Sequence, residues 1–484
     1  MYILKIVPKM FLICFICILF LPTVQVSAEL EIENKLNNYI ENYLEEYQVP
    51  GASVAIVNNG EIYYSKSWGV TGESEEKVTT ETPFTIGSIS KPLTGLAIMN
   101  LINENTVELD DPVQKHIPWF TLEDKKAASQ ITIKHLLTQS SGISTYTGLT
   151  ISDKESKDFH AIENNVESLS NVKLTASLGE KHQYSNANFL ILGALIEEVT
   201  NQTYSKYMEK NVFQPLGMKN AAADHESAYN KGYLSGYQSW FGIPQKSSVT
   251  YDNGGAPYGY ITASVKDMVQ YIKFLSQQDF NNFLNEENMN LYLTPHIQTG
   301  DNRYYGLGIR ISNLDNKDKM LWHSGSTPDS HAELFYIPET DWGGVILTNK
   351  NNSLEEEGLY YLKFGIINIL DGNEPVEIPE NTPTIQLVTL LFICLLLGLF
   401  IYLLIIIKSK NILKRFIWRI FGVICLSLSI VLIPLLIFSV GAPWHAIRMF
   451  SPDLALLTIV TVTLLALNGL LSVKISSKKL KNNF

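Results

Sequence analysis

Cysteine is missing from residues 29–383; the four in the chain, Cys14, Cys17, Cys394 and Cys425, all lie in strongly apolar runs. A thiol nucleophile, a disulfide framework and a cysteine-ligated zinc are therefore excluded from the large central region. Positive charge is scarce there too. Those residues hold 25 lysines and arginines against 47 aspartates and glutamates, a formal balance of −22. Such a surface repels polyanions, which argues against nucleic acid as a partner and weakly favours cationic ligands. Internal repeats and low-complexity linkers are also absent.

Charge itself is absent from long stretches of the C-terminal part. Ile385 to Ile407 form 23 uncharged residues, enough to cross a bilayer as a helix. Two further runs follow, Ile420 to Val440 and Leu454 to Val473. Lys408, Lys410, Lys414, Arg415 and Arg419 separate the first two runs, and Lys474, Lys478, Lys479 and Lys481 follow the third. The loop between the second and third has only Arg448 and His445. Basic segments stay in the cytoplasm, so the pattern predicts three crossings, a cytoplasmic tail and an exported central region. The first residues agree: Lys5 and Lys9, an apolar run from Met10 to Val24, then Val26-Ser27-Ala28 have the layout of a secretory signal peptide cleaved after Ala28. The expected organisation is a signal peptide over 1–28, an extracytoplasmic domain over 29–372 and a linker over 373–384. Three transmembrane helices over 385–473 and a tail over 474–484 complete a multi-pass protein of the plasma membrane.

Within the central region, Leu36, Tyr39, Ile40, Tyr43, Leu44 and Tyr47 recur at helical spacing, and Pro50-Gly51 ends that helix. ASVAIV, Asn58-Asn59-Gly60 and EIYYSKSWGV then spell a β-hairpin. Helices are predicted over 89–104, 132–138, 188–210 and 264–276, strands over 305–312, 319–323, 332–337 and 344–349, and a last helix over 354–370. Strands at both ends with helices between predict an α/β body: an antiparallel sheet flanked by helices, with a helical subdomain inserted and the site where the two meet.

Ser-x-x-Lys occurs four times, at Ser74/Lys77, Ser88/Lys91, Ser170/Lys173 and Ser476/Lys479, so the pattern alone selects nothing. Context selects Ser88, which follows Gly87 and opens an apolar helix whose residues three apart share a face. Pro92 has no N–H, so the carbonyl of Ser88 receives no helical bond from it and the serine must sit on the helix beginning. Amides there point outward and favour a developing oxyanion. A lysine pressed against that buried end loses solvation and becomes a base. A tyrosine near it would relay the proton; Tyr184-Ser185-Asn186, directly before an apolar helix, is the stronger of two Tyr-x-Asn sites, the other being Tyr251-Asp252-Asn253. His323-Ser324-Gly325 ends a strand, where the small Gly325 lets a substrate backbone lie along the edge and the Ser326 amide offers a second oxyanion donor.

Together these stretches resemble the serine β-lactamase and penicillin-recognising superfamily, in its class C-like branch. The likeness rests on Phe84-Thr-Ile-Gly-Ser-Ile-Ser-Lys91, Ile131 to Ile143, Tyr184-Ser-Asn186, Pro215-Leu-Gly-Met218, Thr262 to Asp267 and His323-Ser-Gly325. It implies Ser88 as acylated nucleophile, Lys91 and Tyr184 as acid/base partners, Asn186 as a substrate contact, and the Ser88 and Ser326 amides as oxyanion hole. Neither metal nor organic cofactor is implied. That family often has lysine at the place of His323, and its loss here removes a permanent cation for a substrate carboxylate. A signal peptide, such a domain and three C-terminal spans further resemble the membrane-bound D-peptidases that mature prodrug antibiotics of the colibactin and zwittermicin type.

Three readings follow. One is a D-peptidase or amidase removing an N-acyl-D-amino acid leader from a peptide or polyketide precursor, its spans meeting an exporter or a second copy of the chain. Another is a wall-directed penicillin-binding D-Ala peptidase or esterase. The third is a non-catalytic membrane sensor or binding protein.

Overall fold

In the computed structural model, residues 30–276, 283–314, 318–408 and 415–477 are described. The expected signal peptide lies outside them, as do Lys410, Lys414 and the lysines after residue 477. Two compact units make up the chain, residues 1–48 with 357–381 and residues 49–356 with 382–484.

In the first unit, helix α1 (30–46) packs its tyrosines on glycines of the last helix before the spans. A Cβ on Gly365 would fall 2.1 Å from the Tyr39 ring, and one on Gly358 would fall 2.2 Å from that of Tyr47. The Tyr39 hydroxyl donates to the Val376 carbonyl at 2.8 Å, and the Asn381 amide donates to Glu46 at 2.7 Å, so the acidic stretch after residue 370 is held along its length.

The second unit contains an eight-stranded antiparallel sheet. Its strands are β1 (Gly51–Asn58), β2 (Glu61–Gly69), β3 (Ile297–Gly300), β4 (Arg303–Tyr305), β5 (Arg310–Asn313), β6 (Lys319–Thr327), β7 (Ser330–Ile337) and β8 (Trp342–Thr348), in the spatial order β2-β1-β8-β7-β6-β5-β4-β3. The first hairpin turns at Asn59 and Gly60, both at positive φ, the conformation a tight two-residue turn requires. The predicted strand over 305–312 is two strands instead. Gly308, at φ +99°, breaks it and passes so close to the Lys91 carbonyl that a Cβ would lie 2.8 Å away. Strand pairing yields here to packing against the next helix.

That helix, α2 (Ser90–Asn103), is buried over nearly its whole circumference rather than on one face, the mark of a central core helix. Helix α3 (Asn186–Thr200) lies against it and ends at Asn201 in the left-handed region. The predicted helix over 188–210 is therefore interrupted there and restarts at Tyr204 behind the Thr203 cap. Helix α4 (Val265–Leu275), opened by the Ser264/Asp267 capping box, covers β1 and β8.

Beyond α5 (Glu356–Leu370) come α6 (Thr384–Ile406), α7 (Arg415–Val440), the short α8 (Trp444–Phe450) and α9 (Pro452–Ser477). Helices α6, α7 and α9 are long and apolar enough to cross a membrane. Gly422 and Gly469 bring α7 and α9 into backbone contact, and Asn468 of α9 donates to the Leu396 carbonyl of α6 at 3.0 Å.

A polar knot joins these helices to the α/β body of the same unit. Asp453, fully buried, accepts from the Phe241 amide at 3.0 Å, from Asn352 at 3.1 Å and from Gln386 of α6 at 3.0 Å. Gln238 and the Ser353 amide cap the Met449 and Phe450 carbonyls of α8 at 2.7 and 2.8 Å. Asp453→Ala leaves those three donors without a partner, at about 1–3 kcal/mol for each buried group left unpaired. The thermal midpoint of the full chain in detergent is expected to fall by several degrees; an unchanged midpoint would show that the knot does not hold the two parts together.

Candidate active site

Ser88 is the middle residue of a tight 3-10 turn, Gly87–Ile89, that leads directly into α2. Glycine is required before it for two reasons. Its φ is +54°, and a Cβ there would fall 2.2 Å from the Ser326 amide nitrogen. On the facing strand β6, a Cβ on Gly325 would fall 1.9 Å from the Ile86 carbonyl oxygen and 2.9 Å from the Ser88 nitrogen. These two glycines let strand and turn approach so closely that the amides of Ser88 and Ser326 border one space, a geometry suited to holding an oxyanion.

Lys91, one turn further on, is completely buried, with Nζ 2.9 Å from Ser88 Oγ. It donates to the Tyr258 carbonyl at 2.8 Å. The neighbouring face of α2 is fastened to the same segment: Thr94 donates to the Pro257 carbonyl at 2.7 Å, and the Ile261 amide donates to Ser90 Oγ at 3.1 Å. Burial, assisted by the Arg310 guanidinium, holds the Lys91 pKa well below the ordinary lysine value, with Asp153 pulling weakly the other way. The amine therefore favours its neutral, proton-accepting form.

Tyr184 is set in place through Gln139, whose side-chain oxygen accepts from the Ser185 amide at 2.9 Å while its carbonyl accepts from the Gln183 amide at 2.7 Å. This gives the Thr138-Gln-Ser-Ser-Gly142 stretch its purpose. The Tyr184 ring lies near two nitrogen groups, 4.7 Å from Lys91 Nζ and 5.0 Å from Arg310 Cζ. Its hydroxyl is buried without a well-formed hydrogen bond. Burial raises its pKa, and nearby Arg310 and Ser88 oppose the rise.

A cleft of about 170 Å³ opens above these groups, lined by Ser88, Tyr184, Asn186 and Ser326 among the residues singled out in the sequence. Asn186 is steadied by a 3.0 Å bond to Ser152 Oγ. Lys91 and Gly325 are not among the lining residues, although Lys91 bonds Ser88, which is. His323 is placed differently: it is buried behind the tyrosine, its Nδ1 2.6 Å from the Ser324 carbonyl and its ring 6.2 Å from that of Tyr184. Ser324 is not among the lining residues. The second Tyr-x-Asn is structural. Tyr251 is sealed in a cluster with Tyr233 and Tyr260, and Asn253 bonds the Lys157 carbonyl and the His225 amide.

Three contributors carry no motif. Arg310 arrives from β5, opposite Trp322 in the strand register, and brings a permanent cation to the tyrosine. Asp153, at φ +57°, lines the cleft and accepts from the Tyr260 hydroxyl at 2.8 Å. Burial pushes its pKa up to about 6, against the pull of that hydrogen bond and of Lys91. Phe450, the last residue of α8, also lines the cleft; the unusual sequence signal there is Asp453, the only acid after residue 383.

Comparison with known proteins converges on one family. The Beta-lactamase family pattern matches residues 36–363. Among curated proteins, the chain is 29% identical over 323 residues to "Protein flp" of Staphylococcus aureus, covering 66% of this chain and 63% of that one. The chain thus spans a little under two thirds of that relative. It is 33% identical over 186 residues to "Teichoic acid D-alanine hydrolase" of Staphylococcus aureus, covering 38% of this chain and 44% of that one. Among solved structures, the octameric penicillin-binding protein homologue from Pyrococcus abyssi matches with a TM-score of 0.59 at 28% identity, over 71% of this chain and 78% of that one. An antiparallel sheet meeting a serine-bearing turn, with a match across most of the chain, makes this protein a member of the beta-lactamase family of serine hydrolases.

Proposed function

We propose that this protein hydrolyses D-aminoacyl linkages through an acyl-enzyme on Ser88, outside the cell and close to the membrane. The observation that carries the reading is the fully buried Lys91 amine 2.9 Å from Ser88 Oγ. Lys91 takes the Ser88 proton as Oγ adds to the substrate carbonyl, and the amides of Ser88 and Ser326 receive the oxyanion. Tyr184 passes the proton to the leaving alcohol or amine as its bond to the acyl carbon breaks. Water, deprotonated by the same groups, then adds to the ester on Ser88 and releases the acid.

The choice of an aminoacyl group rests on Asp153, and its D configuration on the name of one relative. An aminoacyl ester or amide carries a free α-ammonium, and a carboxylate in the wall of the cleft is its natural counter-ion. The name of the teichoic acid D-alanine hydrolase relative points the same way. A second reading, removal of an N-acyl-D-amino acid leader from a peptide precursor, is favoured by Leu149 and Phe450, which offer an acyl chain an apolar wall. Lys408, Arg415 and Arg419 after α6, with Lys474 at the end of α9, support an extracytoplasmic catalytic body.

Ser88→Ala is expected to abolish hydrolysis of a D-alanyl ester and labelling by a fluorophosphonate while thermal stability in detergent is kept; residual turnover at the parental rate would reject the nucleophile. Asp153→Asn separates the readings: it should lower kcat/KM for the D-alanyl ester by about tenfold or more and spare an N-acyl-D-asparaginyl amide.

Acylation rate against pH tests the base. Only deprotonated Lys91 accepts a proton, so the rate rises with pH through its pKa. Arg310→Met removes a like charge, raises that pKa and moves the rise to higher pH. Asp153→Asn removes an opposite charge and moves it lower. If neither variant displaces the rise in Ser88 labelling, Lys91 is not the base.

A further inference from the structure

A second cavity, about 570 Å³, adjoins the catalytic cleft and shares Asp153 with it. Six of its nine lining residues belong to the catalytic body, Lys154 and Glu155 among them. The other three, His445, Arg448 and Met449, come from α8. Phe450, next in the chain, faces the cleft with Ser88. The helix between the last two spans is thus a wall common to both spaces.

The hydrogen bonds in this cavity separate used charges from unused ones. Glu155 accepts from the Thr250 amide at 2.8 Å, Asp153 from the Tyr260 hydroxyl, and Lys154 donates to the Thr150 carbonyl at 2.9 Å. The His445 Nε2 has no well-formed hydrogen bond, but its ring faces the backbone of Ser152 and Leu149 and is engaged from that side. Arg448 makes no ion pair within 4.0 Å among the described residues. A guanidinium left without an ion pair in this wall suits an anion with several acceptor oxygens.

We propose that this cavity binds a phosphate group on the leaving side of the substrate, with Arg448 as its principal ligand. The assignment rests on the D-aminoacyl reading above and extends it. An amino acid esterified to a polyol phosphate has its ester and its anion only a few bonds apart, so one molecule offers an acyl carbon to Ser88, an ammonium to Asp153 and a phosphate to Arg448. The spans then supply part of the substrate site as well as an anchor.

The test uses the full chain in maltoside detergent and two synthetic esters, D-alanyl-glycerol and D-alanyl-glycerol 1-phosphate. The parent should favour the phosphate ester in kcat/KM by about tenfold or more, the worth of one charge-assisted hydrogen bond. Arg448→Gln should bring the ratio near one through KM, and Arg448→Lys should restore part of it. A parental ratio of one, or a ratio that survives Arg448→Gln, overturns the proposal.

Glycerol 1-phosphate as a competitor keeps the anion site distinct from the esterase reading. If neither ester is hydrolysed, protection of Ser88 from fluorophosphonate in the parent but not in Arg448→Gln still supports the cavity, and equal protection in both removes it. Repeating the protection in phosphatidylglycerol nanodiscs identifies the source. Loss of protection there means that the lipid headgroup fills the Arg448 site, whereas retained protection means that a free or polymer-borne phosphate does.

Discussion

A buried amine with no carboxylate bonded to it, touching the serine it would deprotonate, is the constraint around which this protein is organised. Keeping an ammonium there would cost several kcal/mol of lost hydration, so the site tips Lys91 toward the form that accepts protons. The surrounding structure keeps water out and fixes the amine in one direction. Helix α2 is enclosed on nearly all sides, Gly308 closes over the Lys91 backbone, and the Tyr258 carbonyl points the amine at Ser88. Loosening any of these would rehydrate the nitrogen and restore its charge.

Tyr184 between Lys91 and Arg310 is the second half of the same device. Two nitrogen groups face one aromatic ring, and each influences whether the other group holds a proton. The lysine that the family often carries on β6 is replaced by His323, which turns inward behind Tyr184. A positive charge nevertheless reaches the tyrosine from the next strand. Its location favours tuning of the proton path over direct grip on a substrate carboxylate, and Arg310 is not among the residues that line the cleft.

Ser88 and Lys91 were legible in the sequence because they are three residues apart on one helical start, where local geometry decides contact. Tyr184 and Asn186 were legible through a short motif ahead of an apolar helix. The antiparallel sheet followed from strand-like runs at both ends of the central region, and the three apolar helices from long uncharged runs. Arg310, Asp153 and Phe450 were not legible, since each reaches the site through tertiary packing: a strand register, a left-handed loop residue and a helix hundreds of residues away. The misplaced strand over 305–312 and helix over 188–210 share a cause. Glycine 308 and Asn201 break the periodic pattern, and hydropathy alone does not register either break.

Asp453 has a geometrical consequence for how the enzyme meets its surroundings. Because it pins the start of α9 to the catalytic body and to α6, the mouth of the cleft is held at a set distance from helices that are long and apolar enough to cross a membrane. A body on a slack tether would sweep through a hemisphere of targets. With those helices in a bilayer, a body pinned in this way would act as a ruler, reaching only bonds within a thin layer parallel to the surface.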